Sequence, residues 1–173
     1  MMILKRLFER PQPPERLAYE AIVAAARHPR FYAEWGVPDT VDGRFDMIIL
    51  HMFLALDRLK GTEDRFRQQL VDGFFSDMDR SLREMGVGDL AVGKKVRKMA
   101  ESFYGRIAAY DQALRTDSGA LETAISRNVF PDGAPQGAPG KFASYVEAQR
   151  QVLAGQDPRT VAEGRLAFGE PSP

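Results

Sequence analysis

The stretch FDMIILHMFLALDRL, residues 45–59, decides the fold class. Phe45, Ile48, Ile49, Met52, Phe53, Leu56 and Leu59 recur at the three- and four-residue spacing of one helical face. Met47, Leu50 and Leu54 lie on the opposite side. Only two thin polar strips remain, Asp46 with Asp57, and Arg44 with His51 and Arg58. A helix apolar nearly all round is a buried helix, so this segment predicts the central post of a helical domain. No apolar run in the chain approaches the roughly 20 residues that a membrane-spanning helix needs.

Working outward, all eleven prolines fall within residues 11–38 and 131–173, leaving residues 39–130 free for long uninterrupted elements. No sustained polar–apolar alternation bounded by tight turns marks a strand. A first helix is expected over Glu15–Arg27, followed by a turn through Phe31, Tyr32 and Trp35 to Gly36-Val37-Pro38. After residue 59, Gly61-Thr62-Glu63 closes one helix and opens another, with Thr62 as N-cap. The stripe of the new helix is Phe66, Leu70, Phe74, Met78 and Met85, with Val71, Phe75 and Leu82 alongside.

Gly86-Val87-Gly88 ends that helix and Asp89 is expected to cap the next, whose stripe runs Val92, Val96, Met99, Phe103, Ile107, Tyr110 and Leu114. Ala120–Asn128 reads as a shorter helix, Pro131–Gly140 as a loop, Phe142–Ala154 as a helix, and Asp157-Pro158 as the start of a last turn. The expectation is an all-α chain, a single compact domain of about six to eight helices around a buried central one. Residues 1–14 form a basic, proline-rich lead-in, 15–168 the domain, and 169–173 a frayed end.

Composition narrows the function classes. The chain has 173 residues and no cysteine, which excludes disulfide frameworks, thiolate metal sites and cysteine nucleophiles. Its 24 basic and 24 acidic residues cancel, which argues against a wholesale polyanion binder. The charge is nevertheless patterned: residues 61–89 carry a net −3 and residues 90–116 a net +4, on consecutive helices suited to antiparallel packing. No phosphate-binding glycine loop, HExxH or GxSxG is present, and two histidines nearly exclude histidine-based metal sites.

Four constellations remain. His51, in line with Arg44 and Arg58, reads as a proton-transfer group or haem ligand, or more simply as part of an ion-paired strip whose arginines lower its proton affinity. Asp72, Asp77 and Asp79 suggest a hard-metal site or a solvated face; Asp77 points away from the other two, which favours the solvated face. Lys94, Lys95, Arg97 and Lys98 form the one dense basic cluster, either solvated or in contact with RNA or an acidic partner. Ser102, Gly105, Ala109 and Ala113 make a small-residue side, suited to close packing within the domain or against another protein. Before the first helix, Met2, Ile3, Leu4, Leu7 and Phe8 beside Lys5 and Arg6 are either a loose terminus or a weak membrane-surface contact.

An ordered set of short motifs resembles the ubiquinol–cytochrome c chaperone family. It opens with Phe31-Tyr32, Gly36-Val37-Pro38-Asp39-Thr40 and Asp42-Gly43-Arg44-Phe45. It continues through His51, Arg58-Leu59, Asp77-Met78-Asp79 and Leu82-Arg83-Glu84. It closes with Gly86-Val87-Gly88-Asp89-Leu90, Gly93-Lys94-Lys95 and Phe103-Tyr104-Gly105-Arg106. The resemblance covers roughly residues 17–115. It implies an all-helical, non-enzymatic assembly factor without a cofactor. Its mitochondrial members act on newly made cytochrome b, associate with the ribosome and work beside a small partner protein. Met1–Arg10 is too short for a transit peptide, so the expectation is a bacterial, cytoplasmic protein, or one held peripherally at the inner membrane.

A chaperone for an apolar client needs an accessible apolar surface, and methionine and phenylalanine adapt well to irregular partners. The candidate contact residues are Phe74, Phe75, Met78, Lys94, Lys95, Lys98, Gly105 and Arg106, on a face spanning residues 72–106 that also holds Met85 and Met99. A ribosome- or RNA-binding adaptor using residues 94–98 is the alternative, and an enzyme or ligand binder built on His51 is the third reading.

Overall fold

A computed structural model describes residues 12–61 and 64–172, and its regular elements there are all helical. They are α1 (Pro14–Ala26), α2 (Pro29–Ala33), α3 (Val41–Arg58), α4 (Asp64–Glu84), α5 (Asp89–Leu114), α6 (Ser118–Val129), α7 (Ala138–Ala154) and α8 (Pro158–Ala162). Local chemistry explains most starts. Thr40 accepts from the Gly43 amide at 3.1 Å, Asp117 from Ala120 at 2.9 Å and Asp157 from Thr160 at 3.0 Å. Each satisfies one amide left unpaired by the first helical turn. At α2 the cap is His28, whose Nδ1 accepts from the Arg30 amide at 3.2 Å. The expected Thr62 cap and the Met1–Arg10 segment lie outside the described residues. Asp89 is not a cap; Gly88 takes that position and Asp89 opens the helix, paired with Arg83.

Helix α3 is the post. Every residue from Phe45 to Leu56 is buried, including Asp46 and His51. Helices α1, α5, α6 and α7 surround it, while α1 also packs on α4, and α6 bridges α5 and α7. Burying one such Phe, Leu or Ile side chain stabilises by about 1.5–3 kcal/mol, so α3 supplies much of the hydrophobic driving force. Gly43 admits the chain that precedes the post: a Cβ there would overlap the Pro38 carbonyl oxygen. On the other flank Phe31, Trp35, Phe142 and Tyr145 form an aromatic cluster, with Phe31 and Phe142 stacked at 5.5 Å and Trp35 edge-on to Phe142 at 4.8 Å.

Two boundaries differ from expectation. Helix α7 begins at Ala138 rather than Phe142, because Pro139 sits in the first turn, where its missing N–H costs nothing, and Gly137 turns the chain at φ 77°. Residues 169–171, by contrast, are tied to the domain. Gln149 exchanges two hydrogen bonds with the Gly169 backbone (2.7 and 3.1 Å), His28 lies 2.7 Å from Glu170, and Arg30 donates to the Pro171 carbonyl. Polar side chains of α2 and α7 thus satisfy a strap that has no secondary structure of its own.

Helices α4 and α5 form a hairpin that outruns the core. Between Asp79 and Lys98 no residue belongs to the central cluster; Leu82 and Val92 are buried apart from it. Gly86 makes the turn at φ 82°, a conformation that L side chains rarely adopt.

Candidate functional site

An enzyme built on His51 would need an accessible ring. The ring is fully buried, with Nδ1 2.8 Å from the Met47 carbonyl and Nε2 2.8 Å from the Tyr145 hydroxyl. Desolvation pushes its pKa down to about 4, against a smaller upward pull from the Met47 carbonyl. The expected arginine strip does not exist. Arg44 pairs with Asp39 at 2.7 Å, and Arg58 donates to the Leu153 and Gln156 carbonyls at 2.7 and 3.1 Å. The lowered proton affinity is therefore a burial effect, and the ring is a satisfied core group. Both nitrogens are engaged and out of reach of any substrate.

The acidic constellation also disperses. Asp72 accepts from Gln68 at 2.8 Å, Asp77 from Tyr19 at 3.0 Å and from Arg80, and Asp79 from Arg83 at 2.6 Å. Among the described residues no group of three or more His, Asp or Glu side chains converges as a metal site would require.

The face over residues 72–106 separates into core and surface. Phe74 is buried, stacked between Phe103 (5.0 Å) and Phe45 (6.0 Å), and Met78 is buried beside it. Both lie on the side of α4 that closes on α1, α3 and α5. Phe75, next in sequence, is half-buried and lies edge-on to Phe103 at 5.4 Å. Besides Phe74, at 5.0 Å, it also neighbours Tyr104, at 6.2 Å and 56% exposed, which belongs to none of the expected contacts. Helical spacing carries its signal: one residue on from Phe103, Tyr104 is turned about 100° out of the buried stripe of α5. Met99 is half-buried against the core. Phe75, Met99 and Tyr104 are thus the aromatic and thioether groups that the hairpin base presents.

Arg106 has a different place from the one expected. Its guanidinium lies 2.7 Å from buried Asp46 and 5.8 Å from the centre of the Phe45 ring. Burial raises the Asp46 pKa to about 7, opposed by Arg106 and assisted by Asp42. Arg106 is therefore the counter-charge of the post. Gly105 does face outward, with open space where a Cβ would sit, whereas Ala113 on the same small-residue side is buried. Lys94, Lys95, Arg97 and Lys98 are exposed and make no ion pair with any described residue.

Several surface cavities indent the described residues, two of them roomier. One of about 590 Å³ lies among Pro13, Leu59, Phe66, Pro158 and Val161; another of about 600 Å³ runs between α1 and α4 beside Val23 and Gly73. Arg58 borders the first with its donors committed to α7, and neither cavity joins a base to a nucleophile. No described helix is long and apolar enough to cross a membrane.

Comparison with known proteins accords with this geometry. A sequence profile of the family described as "Ubiquinol-cytochrome C chaperone" matches residues 33–168. The crystal structure of the Cbp3 homolog from Brucella abortus superposes with a TM-score of 0.81 at 40% identity, covering 98% of this chain and 96% of that one. Protein CBP3, mitochondrial, of Saccharomyces cerevisiae is 29% identical over 151 residues, which is 82% of this chain and 44% of the yeast protein. Ubiquinol-cytochrome-c reductase complex assembly factor 1 of Xenopus laevis is 26% identical over 138 residues, 78% of this chain and 68% of the frog protein. The chain thus spans less than half the length of the yeast relative and about two thirds of the frog one.

Proposed function

The chain belongs to the ubiquinol-cytochrome C chaperone family, and from that membership we propose that it is a non-enzymatic assembly chaperone for ubiquinol–cytochrome c reductase, with newly made cytochrome b as its client. The observation that carries the reading is the likeness along nearly its whole length to a Cbp3 homolog, joined to relatives named as assembly factors of that complex. The contact surface is the hairpin base, where Phe75, Met99 and Tyr104 offer an apolar, polarizable patch without opening the core. Holding an apolar segment there shields it from water until the next subunit takes it over.

Incorporating a photo-crosslinking residue at Tyr104 tests the placement. Cytochrome b should be captured from there and not from Glu147 on the exposed side of α7; equal capture from both positions, or none from Tyr104, would sink it.

A ribosome-binding adaptor is the second reading, favoured by the four cations on α5 that pair with no described residue. It requires co-sedimentation with ribosomes that weakens as salt rises, and absence of co-sedimentation at low salt rules it out.

A further inference from the structure

The hairpin tip combines two features that the client reading leaves unused. Leu90 is 100% exposed and Met85 57% exposed, on either side of the Gly86-Val87-Gly88 turn. On α5, Leu90, Lys94, Arg97 and Lys98 lie within an arc of about 100°, facing away from Val92, with Lys95 at its flank. The acids nearby are largely engaged: Asp89 and Asp79 by Arg83, and Glu84 by Arg80 at 3.9 Å. Exposed Glu101 lies a turn inward from Arg97. The end of the arm is therefore apolar at its apex and cationic behind it.

Exposed leucine and methionine at a projecting turn have no counterpart on a polyphosphate. The four cations have no aromatic side chain between them on which a base could stack. Apolar residues followed by lysines match instead a bilayer surface, where a hydrocarbon boundary lies beneath anionic headgroups. We propose that the α4–α5 tip docks on an anionic bilayer. Met85 and Leu90 enter the headgroup–acyl boundary, and Lys94, Lys95, Arg97 and Lys98 meet lipid phosphates. Leu90 lies about 20 Å along α5 from Phe103, so a docked tip holds the hairpin base just above the membrane. The proposal is independent of which client that base receives.

Flotation of the full chain with vesicles tests it, comparing phosphatidylcholine alone with phosphatidylcholine containing one-third phosphatidylglycerol. The chain should float with the anionic vesicles only, and less at high salt. Two variants, Leu90→Asp with Met85→Ser, and Lys94→Glu with Lys95→Glu and Lys98→Glu, should each lose binding by about tenfold or more. Their helical circular dichroism should match the parent, since all five side chains are exposed.

Absence of flotation overturns the proposal. So does undiminished flotation of both variants, which would assign binding to another segment such as residues 1–10. Loss in the lysine variant alone also overturns it, and if that variant equally lost an RNA oligonucleotide, the surface would be a polyanion site.

Discussion

The Tyr145 hydroxyl lies 2.8 Å from Nε2 of His51, joining α7 to the buried face of α3. The Met47 carbonyl, 2.8 Å from Nδ1, can only accept, so Nδ1 carries the proton and Nε2 accepts from Tyr145. Tyr145→Phe leaves that acceptor buried and unpaired. It should lower the unfolding free energy by about 1–3 kcal/mol in denaturant titrations. An unchanged midpoint would mean that the bond contributes nothing net.

Two buried groups give stability opposing dependences on pH. His51, depressed to about 4, stays neutral when folded but takes a proton in the unfolded chain below about 6.5. Its contribution is complete above that value and is lost as pH falls towards 4. Asp46, raised to about 7 from 3.8, keeps its proton in the folded state across a range where the unfolded chain has released it. Its contribution is complete at low pH and is lost as pH rises towards 7. The parent protein should therefore show a shallow profile between pH 5 and 7. His51→Gln should make stability fall with rising pH, and Asp46→Asn should make it rise. Chemical denaturation at both pH values reads the sign, and parallel profiles for all three proteins would contradict the assignment.

Arg106→Met removes the counter-charge of Asp46. The cost should be about 3 kcal/mol at pH 8, the usual size when one partner of a buried pair is lost. It should shrink at pH 5, where Asp46 is protonated and needs no cation. If Arg106 instead served only a partner, stability would be unchanged at both values.

Glycines on the same scaffold should separate by their surroundings. Gly43→Ala drives a methyl into the Pro38 backbone and should destabilise by more than about 3 kcal/mol, because neither backbone segment can give way. Gly73→Ala and Gly105→Ala meet open space within helices and should stabilise by about 0.5–1 kcal/mol through helix propensity. Thermal melts distinguish them. Loss of client capture in a stably folded Gly105→Ala variant would show that a partner packs closely there.

The post was readable because its evidence is local: an apolar pattern on every side of residues 45–59 has one physical outcome. The role of His51 was not, because its partner is 94 residues away and helical alignment with Arg44 and Arg58 says nothing of where those side chains reach. Arg44 and Arg58 stand near the two ends of α3, where Asp39 and the end of α7 draw them off. Phe74 and Phe75 are adjacent and chemically alike, and both touch Phe103 of α5; the contacts of Phe74 with Tyr19 and Phe45, on α1 and α3, decide which one is enclosed. Arg106 sits beside outward-facing Gly105 in sequence, yet the turn of the helix brings it to Asp46. The exposure of Lys94, Lys95 and Lys98 was legible, since dense like charges remain in water unless paired.

The central claim, that this chain serves assembly of ubiquinol–cytochrome c reductase, is tested most directly by deleting its gene and measuring assembled reductase and cytochrome b in the membranes. Both should fall sharply and recover with the parent gene, while Tyr104→Asp, folded and expressed, should restore them poorly. Normal levels of both in the deletion strain would contradict the account.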